Sequence, residues 1–336
     1  MICNLSEEKI FIAGSKGMVG SALVRKLNDY FQIINKDKNS ILSPDREELD
    51  LSDYESVNSW FKLNKPTITV IAAAKVGGIL ANTKKPADFI LQNLKIQNNV
   101  IEAAWKNNVK RLLFLGSSCI YPKFSPQPIK EEYLLSNNLE KTNQWYAIAK
   151  IAGIKLCESL RIQYGFDAIS LMPTNLYGPN DNYHPSESHV MASLIKKFID
   201  AKDNNYPSVK CWGTGEPLRE FLHVDDLAEA IIFCLEKWDP NSLEAPKDND
   251  GNTLLYLNVG SGEETTIKNL SQMIAEITNF NGDIIWDRNK PDGTPRKLLC
   301  PENLTKLGWQ AKIKLKEGLK KTITEYKLTN KNFSLY

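Results

Sequence analysis

The stretch "IFIAGSKGMVGSALVRKL" limits the possible folds more than any other part of the chain. A short apolar run of strand character meets Gly14, Gly17 and Gly20. The chain then continues with Met18, Ala22 and Leu23 on one helical face and Lys26 and Asp29 turned away. A strand that turns this tightly into a helix opens a βαβ unit. The first glycine permits the turn, the second lets backbone approach a pyrophosphate, and the third lets helix and strand pack closely. The helix N-terminus then offers its free N–H groups to the phosphates. The spacing is G-x-x-G-x-x-G rather than G-x-G-x-x-G, so the strand-turn-helix context carries the reading of a dinucleotide turn, over Gly14, Ser15, Lys16, Gly17, Met18, Val19 and Gly20.

Further apolar runs at 67–74, 111–117 and 168–174 join the first at 9–13, with helical stretches between most of them. They are apolar nearly throughout rather than alternating, as strands of a parallel sheet covered on two faces are. The expected fold is therefore α/β: a doubly wound parallel sheet of Rossmann type over 1–175, then a smaller substrate-binding domain over 176–336. Segments near 220–260 return to the large domain. A chain of 336 residues can bury a core of that size. From Asn175 onward Gly, Pro and Asn become dense, as in loops that face a ligand. Polar inserts at 203–208 and 238–252 read as mobile excursions. The long helical stretches "FILQNLKIQNNVIEAAWKNN" and "WYAIAKIAGIKLCESLRIQYG", the second closed by Gly165, are apolar on two faces. Either a thick core or a subunit interface accounts for that.

A formal net charge of +2 calls for neither nucleic acid nor a membrane surface. No apolar run approaches the roughly 20 residues of a membrane-spanning helix, and the start lacks the pattern of a secretory signal, so the expected location is the cytoplasm. Six cysteines without C-x-x-C spacing, and only three histidines, predict neither a metal site nor a disulfide framework.

"YAIAK" sets Tyr146 and Lys150 one helical turn apart. A tyrosine is a poor proton donor near neutrality, and a nearby ammonium lowers its pKa. Ser117, at the carboxyl end of a sheet strand, can hydrogen-bond the same carbonyl oxygen. The three residues form a carbonyl-reducing set: hydride to carbon, proton from Tyr146 to oxygen, charge held by Lys150. An acid after the second strand favours a free ribose 2′-hydroxyl and cations favour a 2′-phosphate. Lys16 and Arg46 point to NADP (NADPH), with Asp37 as a competing acid. Cys119, read alone, fits a small buried side chain as well as a reactive thiol, and His189 fits a hydrogen-bonded loop residue.

These motifs, with "AAAKVGGILAN", "PADFILQNL", "LLFLGSSCIYPK", "MPTNLYGPNDNYHPSESHV", "WGTGEPLREFLHVDDLA" and "KPDGTPRKLL", resemble the extended short-chain dehydrogenase/reductase family. Within it, the resemblance is to enzymes that epimerise GDP-4-keto-6-deoxy-D-mannose at C3 and C5 and reduce the C4 ketone with NADPH, giving GDP-L-fucose. The resemblance implies that Cys119 is the base of the epimerisation and His189 its acid partner. Leu115, Lys150, Pro173, Asn175, Leu176 and His189 would border the cofactor, with Thr174 in the same segment. Lys197, Trp212, Arg219 and Asp292 would hold the GDP-sugar. A homodimer joined by the two long helices is also implied. Cys300 stands where the family has an acid, which removes a helix N-cap ahead of "PENLTKLGW". For Arg219 the plainer alternative is a surface ion pair with Glu220. Competing functions are a related enzyme acting on a 6-deoxyheptose or colitose precursor, and a non-catalytic dinucleotide-sensing protein.

Overall fold

The computed structural model describes residues 3–34, 36–184 and 187–333. Strand β1 (Ile10–Ala13) is buried at every position and turns into α1 (Met18–Ile33), whose inner face is Ala22, Leu23, Leu27 and Phe31. Next come β2 (Ile41–Leu42), α2 (Tyr54–Asn64) and β3 (Ile68–Ile71). The Asp53 carboxylate caps α2 by accepting from the Ser56 amide. Then follow α3 (Ile79–Lys84), α4 (Pro86–Lys106), β4 (Arg111–Leu115), α5 (Gln144–Tyr164) and β5 (Ala168–Pro173). Gly165 ends α5 at φ 68°.

The second half runs through β6 (Asn175–Tyr177), α6 (Val190–Asp203), β7 (Ser208–Trp212), β8 (Leu218–His223) and α7 (Val224–Lys237). It finishes with β9 (Tyr256–Val259), β10 (Glu264–Thr266), α8 (Ile267–Thr278), β11 (Asp283–Asp287), β12 (Arg296–Lys297), α9 (Glu302–Lys306) and α10 (Leu315–Phe333). No side chain caps α9.

The central sheet is parallel throughout, in the order β2-β1-β3-β4-β5-β9. Its strand order reverses between β1 and β3, so the crevice of such a sheet opens at their carboxyl ends, where Gly14 meets Ala73. Helices α1 and α7 cover one face, and α2, α4 and α5 the other. A third core packs α6, α8 and α10 against the smaller sheets β10-β8-β12 and β11-β7. Strand β9 and helix α7, from the second half of the chain, lie in and against the large sheet.

β1 ends with its apolar run, whereas β3 stops at Ile71 and β4 at Leu115, short of theirs. Ala72 and Gly116 each donate one more bond, to the Ala13 and Leu171 carbonyls, before the chain turns to the rim of the crevice. The sequence reading names no strand between 33 and 54. β2, two residues long, is too short for periodicity to register. The 238–252 insert differs from the expected mobile excursion: Trp238 is fully buried, with Ala245 buried beyond it. Arg111 Nη2 donates to the Trp238 carbonyl at 2.5 Å, tying the insert to the start of β4. All six cysteines are free; five are buried and Cys119 is partly exposed.

Candidate active site

The glycine turn is built for backbone to approach backbone. Gly14 has φ +85°, and a Cβ there would sit 2.7 Å from Ala73 Cα and N. A Cβ on Gly20 would collide with the Gly14 carbonyl. Gly17 is the N-cap of α1 and offers no side-chain oxygen, so the first-turn amides of Met18, Val19 and Gly20 face outward unsatisfied. Such a cradle fits a pyrophosphate. Ser15 points elsewhere: its hydroxyl donates to the carbonyls of Ser43 (3.2 Å) and Pro44 (3.4 Å), fastening the turn to the loop after β2. Lys16 is exposed.

The competing candidate acid is in the wrong place. Asp37 precedes β2 and caps a short 3-10 turn, accepting from the Asn39 amide at 2.9 Å. It therefore lies at the amino end of the strand, away from the crevice. At the carboxyl end, Asp45 spends its carboxylate on the amides of Glu47 and Glu48, and Arg46 is exposed beside it.

Ser117, Cys119, Tyr146 and Lys150 come together where β4 ends. Ser117 caps a 3-10 turn over Ser118–Ile120 and its Oγ accepts from the Cys119 amide at 3.2 Å. Lys150 is buried; its Nζ donates to the Leu115 carbonyl at 2.6 Å and stands 4.7 Å from the Phe114 ring centroid. Burial pushes the Lys150 pKa down to about 7. Burial raises the pKa of Tyr146, and the Cys119 charge adds to that, while Ser117 acts in the opposite sense. The expected effect of Lys150 on the tyrosine is not seen: its Nζ is turned to the Leu115 carbonyl, 5.9 Å from the Tyr146 ring centroid, and with its own pKa near 7 the amine is uncharged where a phenol ionises. The phenol therefore rests protonated, as a proton donor must.

His189 is the N-cap of α6. The residue is exposed to solvent, and desolvation by the protein around its ring, with the nearby Lys297 charge, lowers its pKa. Lys297 is a residue that the sequence reading did not single out. Its Nζ lies 3.5 Å from Cys119 Sγ and 3.5 Å from Ser118 Oγ. The signal was the alternation of a short strand: Arg296 turns out to Glu264, at 2.8 and 2.9 Å, and Lys297 turns in. Arg219 is its register partner on β8, and its own pKa is lowered by burial against the opposing pull of Cys119 and Asp292. Glu220 is not its partner in a surface pair. That carboxylate is wholly buried and accepts from the amides of Gly262 (2.8 Å) and Leu299 (3.0 Å).

Pro173 closes β5, Thr174 Oγ1 and Asn175 Nδ2 donate to the Glu220 carbonyl at 3.4 and 2.8 Å, and Leu176 packs into the first core. Farther along the cleft, Lys197 and Lys290 stand 5.9 and 5.4 Å from the ring centroid of half-exposed Trp212. Lys197 Nζ also donates to the Lys210 carbonyl at 3.0 Å. Asp292 holds the Gly213–Thr214 turn, accepting from Thr214 N at 2.7 Å and Thr214 Oγ1 at 2.9 Å, and its own carbonyl accepts from Arg219 Nη2 at 3.4 Å. The arrangement thus combines a pyrophosphate cradle, a protonated phenol beside a serine hydroxyl, and a thiol between cations. It can protonate an oxyanion and exchange protons at an adjacent carbon.

A family model described as the NAD dependent epimerase/dehydratase family matches residues 10–244. GDP-L-fucose synthase 1 of Arabidopsis thaliana is 52% identical over 318 residues, 95% of this chain and 93% of that one. The GDP-L-fucose synthase of Escherichia coli strain K12 is 49% identical over 318 residues, covering 95% and 96%. The GDP-L-colitose synthase of Yersinia pseudotuberculosis is 36% identical, covering 96% and 99%. Among solved structures, a GDP-mannoheptose C4 reductase from Campylobacter jejuni with NADP bound matches with a TM-score of 0.83 at 36% identity, over 96% of this chain and 99% of that one.

Proposed function

The chain belongs to the NAD dependent epimerase/dehydratase family, and on that footing we propose that it converts GDP-4-keto-6-deoxy-D-mannose into GDP-L-fucose, with NADPH as reductant. NADPH held on the glycine turn supplies the hydride that reduces C4. The observation that carries the assignment of residues is the meeting of Ser117, Tyr146, Lys150 and Cys119 at the end of β4.

C3 and C5 both flank the C4 carbonyl, so loss of a proton from either gives an enolate whose oxygen lies within reach of Ser117 and Tyr146. Cys119 takes that proton and His189 returns one from the opposite face, which inverts the centre. Desolvation and the Lys297 charge hold the His189 pKa below the ordinary value, and the negative charge of a bound sugar nucleotide acts in the opposite sense. After inversion Tyr146 gives its proton to the C4 oxygen as the hydride arrives, with Ser117 orienting that oxygen and Lys150 supplying positive charge. Arg46 and Lys16 take the ribose phosphate of the cofactor. Leu115, Pro173, Asn175 and Leu176 border the nicotinamide, and Lys197, Trp212, Arg219 and Asp292 hold the GDP moiety.

Identities of 52% and 49% to two fucose synthases, against 36% to the colitose synthase, favour the 6-deoxymannose substrate over its cousins. The intact Ser117, Tyr146 and Lys150 set stands against a purely sensing role. The same reading divides the chain into a cofactor domain (1–175) and a substrate domain (176–336), with α7 and β9 returning to the first. It takes the working form to be a cytoplasmic homodimer. Its supports are the free thiols, usual in a reducing compartment, and the apolar residues Trp145, Ile148 and Ile162 exposed along α5. Among the described residues no helix is long and apolar enough to cross a membrane.

Incubation with GDP-4-keto-6-deoxy-D-mannose and NADPH in deuterated water, read by NMR, tests the proposal. GDP-L-fucose carrying deuterium at C3 and C5 is the expected product. A reduced sugar without deuterium there removes Cys119 and His189 from the chemistry, and no turnover rejects the substrate.

A further inference from the structure

Two cations occupy register positions on neighbouring strands, and among the described residues only Arg219 has carbonyl partners. Lys297 and Arg219 are register partners on the parallel strands β12 and β8, so their side chains leave the sheet on one face. Arg219 spends its guanidinium on the carbonyls of Leu218 (2.8 Å) and Asp292 (3.4 Å). Among the described residues no carboxylate lies within ion-pair distance of Lys297, and the side-chain atoms it meets are Ser118 Oγ and Cys119 Sγ. Two like charges on one face of neighbouring strands repel, and an anion placed between them is stabilised by both.

The segment that carries Lys297 is fixed from several sides. Gln127 Oε1 accepts from the Leu298 amide at 2.9 Å, and Glu220 accepts from the Leu299 amide. Ile129 N donates to the Leu298 carbonyl at 2.7 Å, and Cys300 N to the Ile129 carbonyl at 2.8 Å. Of the two side-chain atoms that this anchored lysine meets, Ser118 Oγ and Cys119 Sγ, the sulfur is the one whose chemistry includes an anion near neutral pH. We infer that Lys297 is the positioning residue for Cys119, its ammonium pairing with the sulfur as a thiolate and holding it toward the sugar. On formation of the pair the thiol proton leaves to solvent. During epimerisation the thiolate takes the carbon proton, and the C–H electron pair passes to the enolate oxygen. The inference rests on the assignment of Cys119 as base. The other titratable groups around the sulfur are Tyr146 on α5, Arg219 on β8 and His189 at the head of α6, with Glu140 on the cavity wall beside Lys297 and paired to Lys123 at 2.8 Å.

Alkylation of Cys119 by iodoacetamide in the cofactor-free protein is the test, with Cys119→Ser as the background for the buried cysteines. At pH 7, Lys297→Met is expected to slow alkylation about tenfold, an order set by the loss of one close charge. At pH 10, where thiols ionise unaided, its rate is expected to match the parent, and Lys297→Arg to recover most of the rate at pH 7. Equal rates for parent and Lys297→Met at pH 7 overturn the inference, as does a deficit that persists undiminished at pH 10, which reports access rather than charge. An unchanged rate at pH 7 with a raised KM for the GDP-sugar also overturns it, assigning Lys297 to the diphosphate. Solvent deuterium exchange by Cys119→Ser decides the base assignment separately: retained exchange removes Cys119 from the chemistry whatever the alkylation rates are.

Discussion

Lys150 Nζ and the Leu115 carbonyl oxygen stand 2.6 Å apart within a wall of protein that leaves the lysine 3% exposed and presses its pKa down to about 7. A buried amine of that kind opposes folding while it is charged. Below about pH 7 the native protein carries the ammonium at full cost, and the unfolded chain carries it freely. Between there and the ordinary lysine pKa of 10.5 the native amine is neutral while the unfolded chain still binds the proton, so stability rises with pH across that window. Lys150→Met is therefore expected to raise the melting temperature of the cofactor-free protein at pH 6, by an amount that shrinks at pH 9. Equal gains at the two values would contradict the burial account.

Tyr146→Phe keeps the ring and removes the proton. Since burial holds the phenol protonated, its loss is expected to lower kcat for NADPH oxidation by about 100-fold or more. NADPH binding, followed by nucleotide fluorescence, should change little. Normal turnover would take the donor role from this residue.

Arg46 lies past the carboxyl end of β2, where Asp45 is already committed to its own turn. Arg46→Ala is expected to reduce kcat/KM with NADPH about tenfold, the scale of one hydrogen bond to a charged group. The value with NADH should stay nearly constant. A parallel loss with the two nucleotides would place the 2′-phosphate elsewhere.

Glu220 joins two segments by accepting from the Gly262 and Leu299 amides in a fully buried position. Glu220→Ala strands those two donors, with an expected cost of about 2–4 kcal/mol. Glu220→Gln, which keeps one acceptor, should lose less. Thermal melting measures the difference, and indistinguishable melting of the two variants would dismiss the bridging role.

What was legible in the sequence was what repeats or what a motif enforces. The glycine turn and the buried strands announced themselves because the residues in them obey a local rule: positive φ at Gly14, contact at Gly20, apolar character throughout β1 and in β4 after Arg111. Ser117, Tyr146 and Lys150 lie on elements whose relative placement the βαβ pattern already dictates. Other features have no local rule. β2 owes its existence to pairing with Ile10 and Phe11 rather than to its own two residues. Trp238 looked like part of a polar loop because the partner that buries its backbone, Arg111, is far away in sequence. Lys297 and Glu220 read as ordinary charges until β8 and β12 are paired.

The pairing of β12 with β8, and of β9 with β5, also sets an order of events during synthesis. The glycine turn leaves the ribosome well before the sixth strand of the central sheet and the lysine beside Cys119. A nascent chain can therefore shape its nucleotide cradle long before it can act on a sugar, and a product cut short ahead of residue 296 would retain that cradle with an incomplete reaction chamber. Catalytic competence is withheld until β12 has been made and has joined β8.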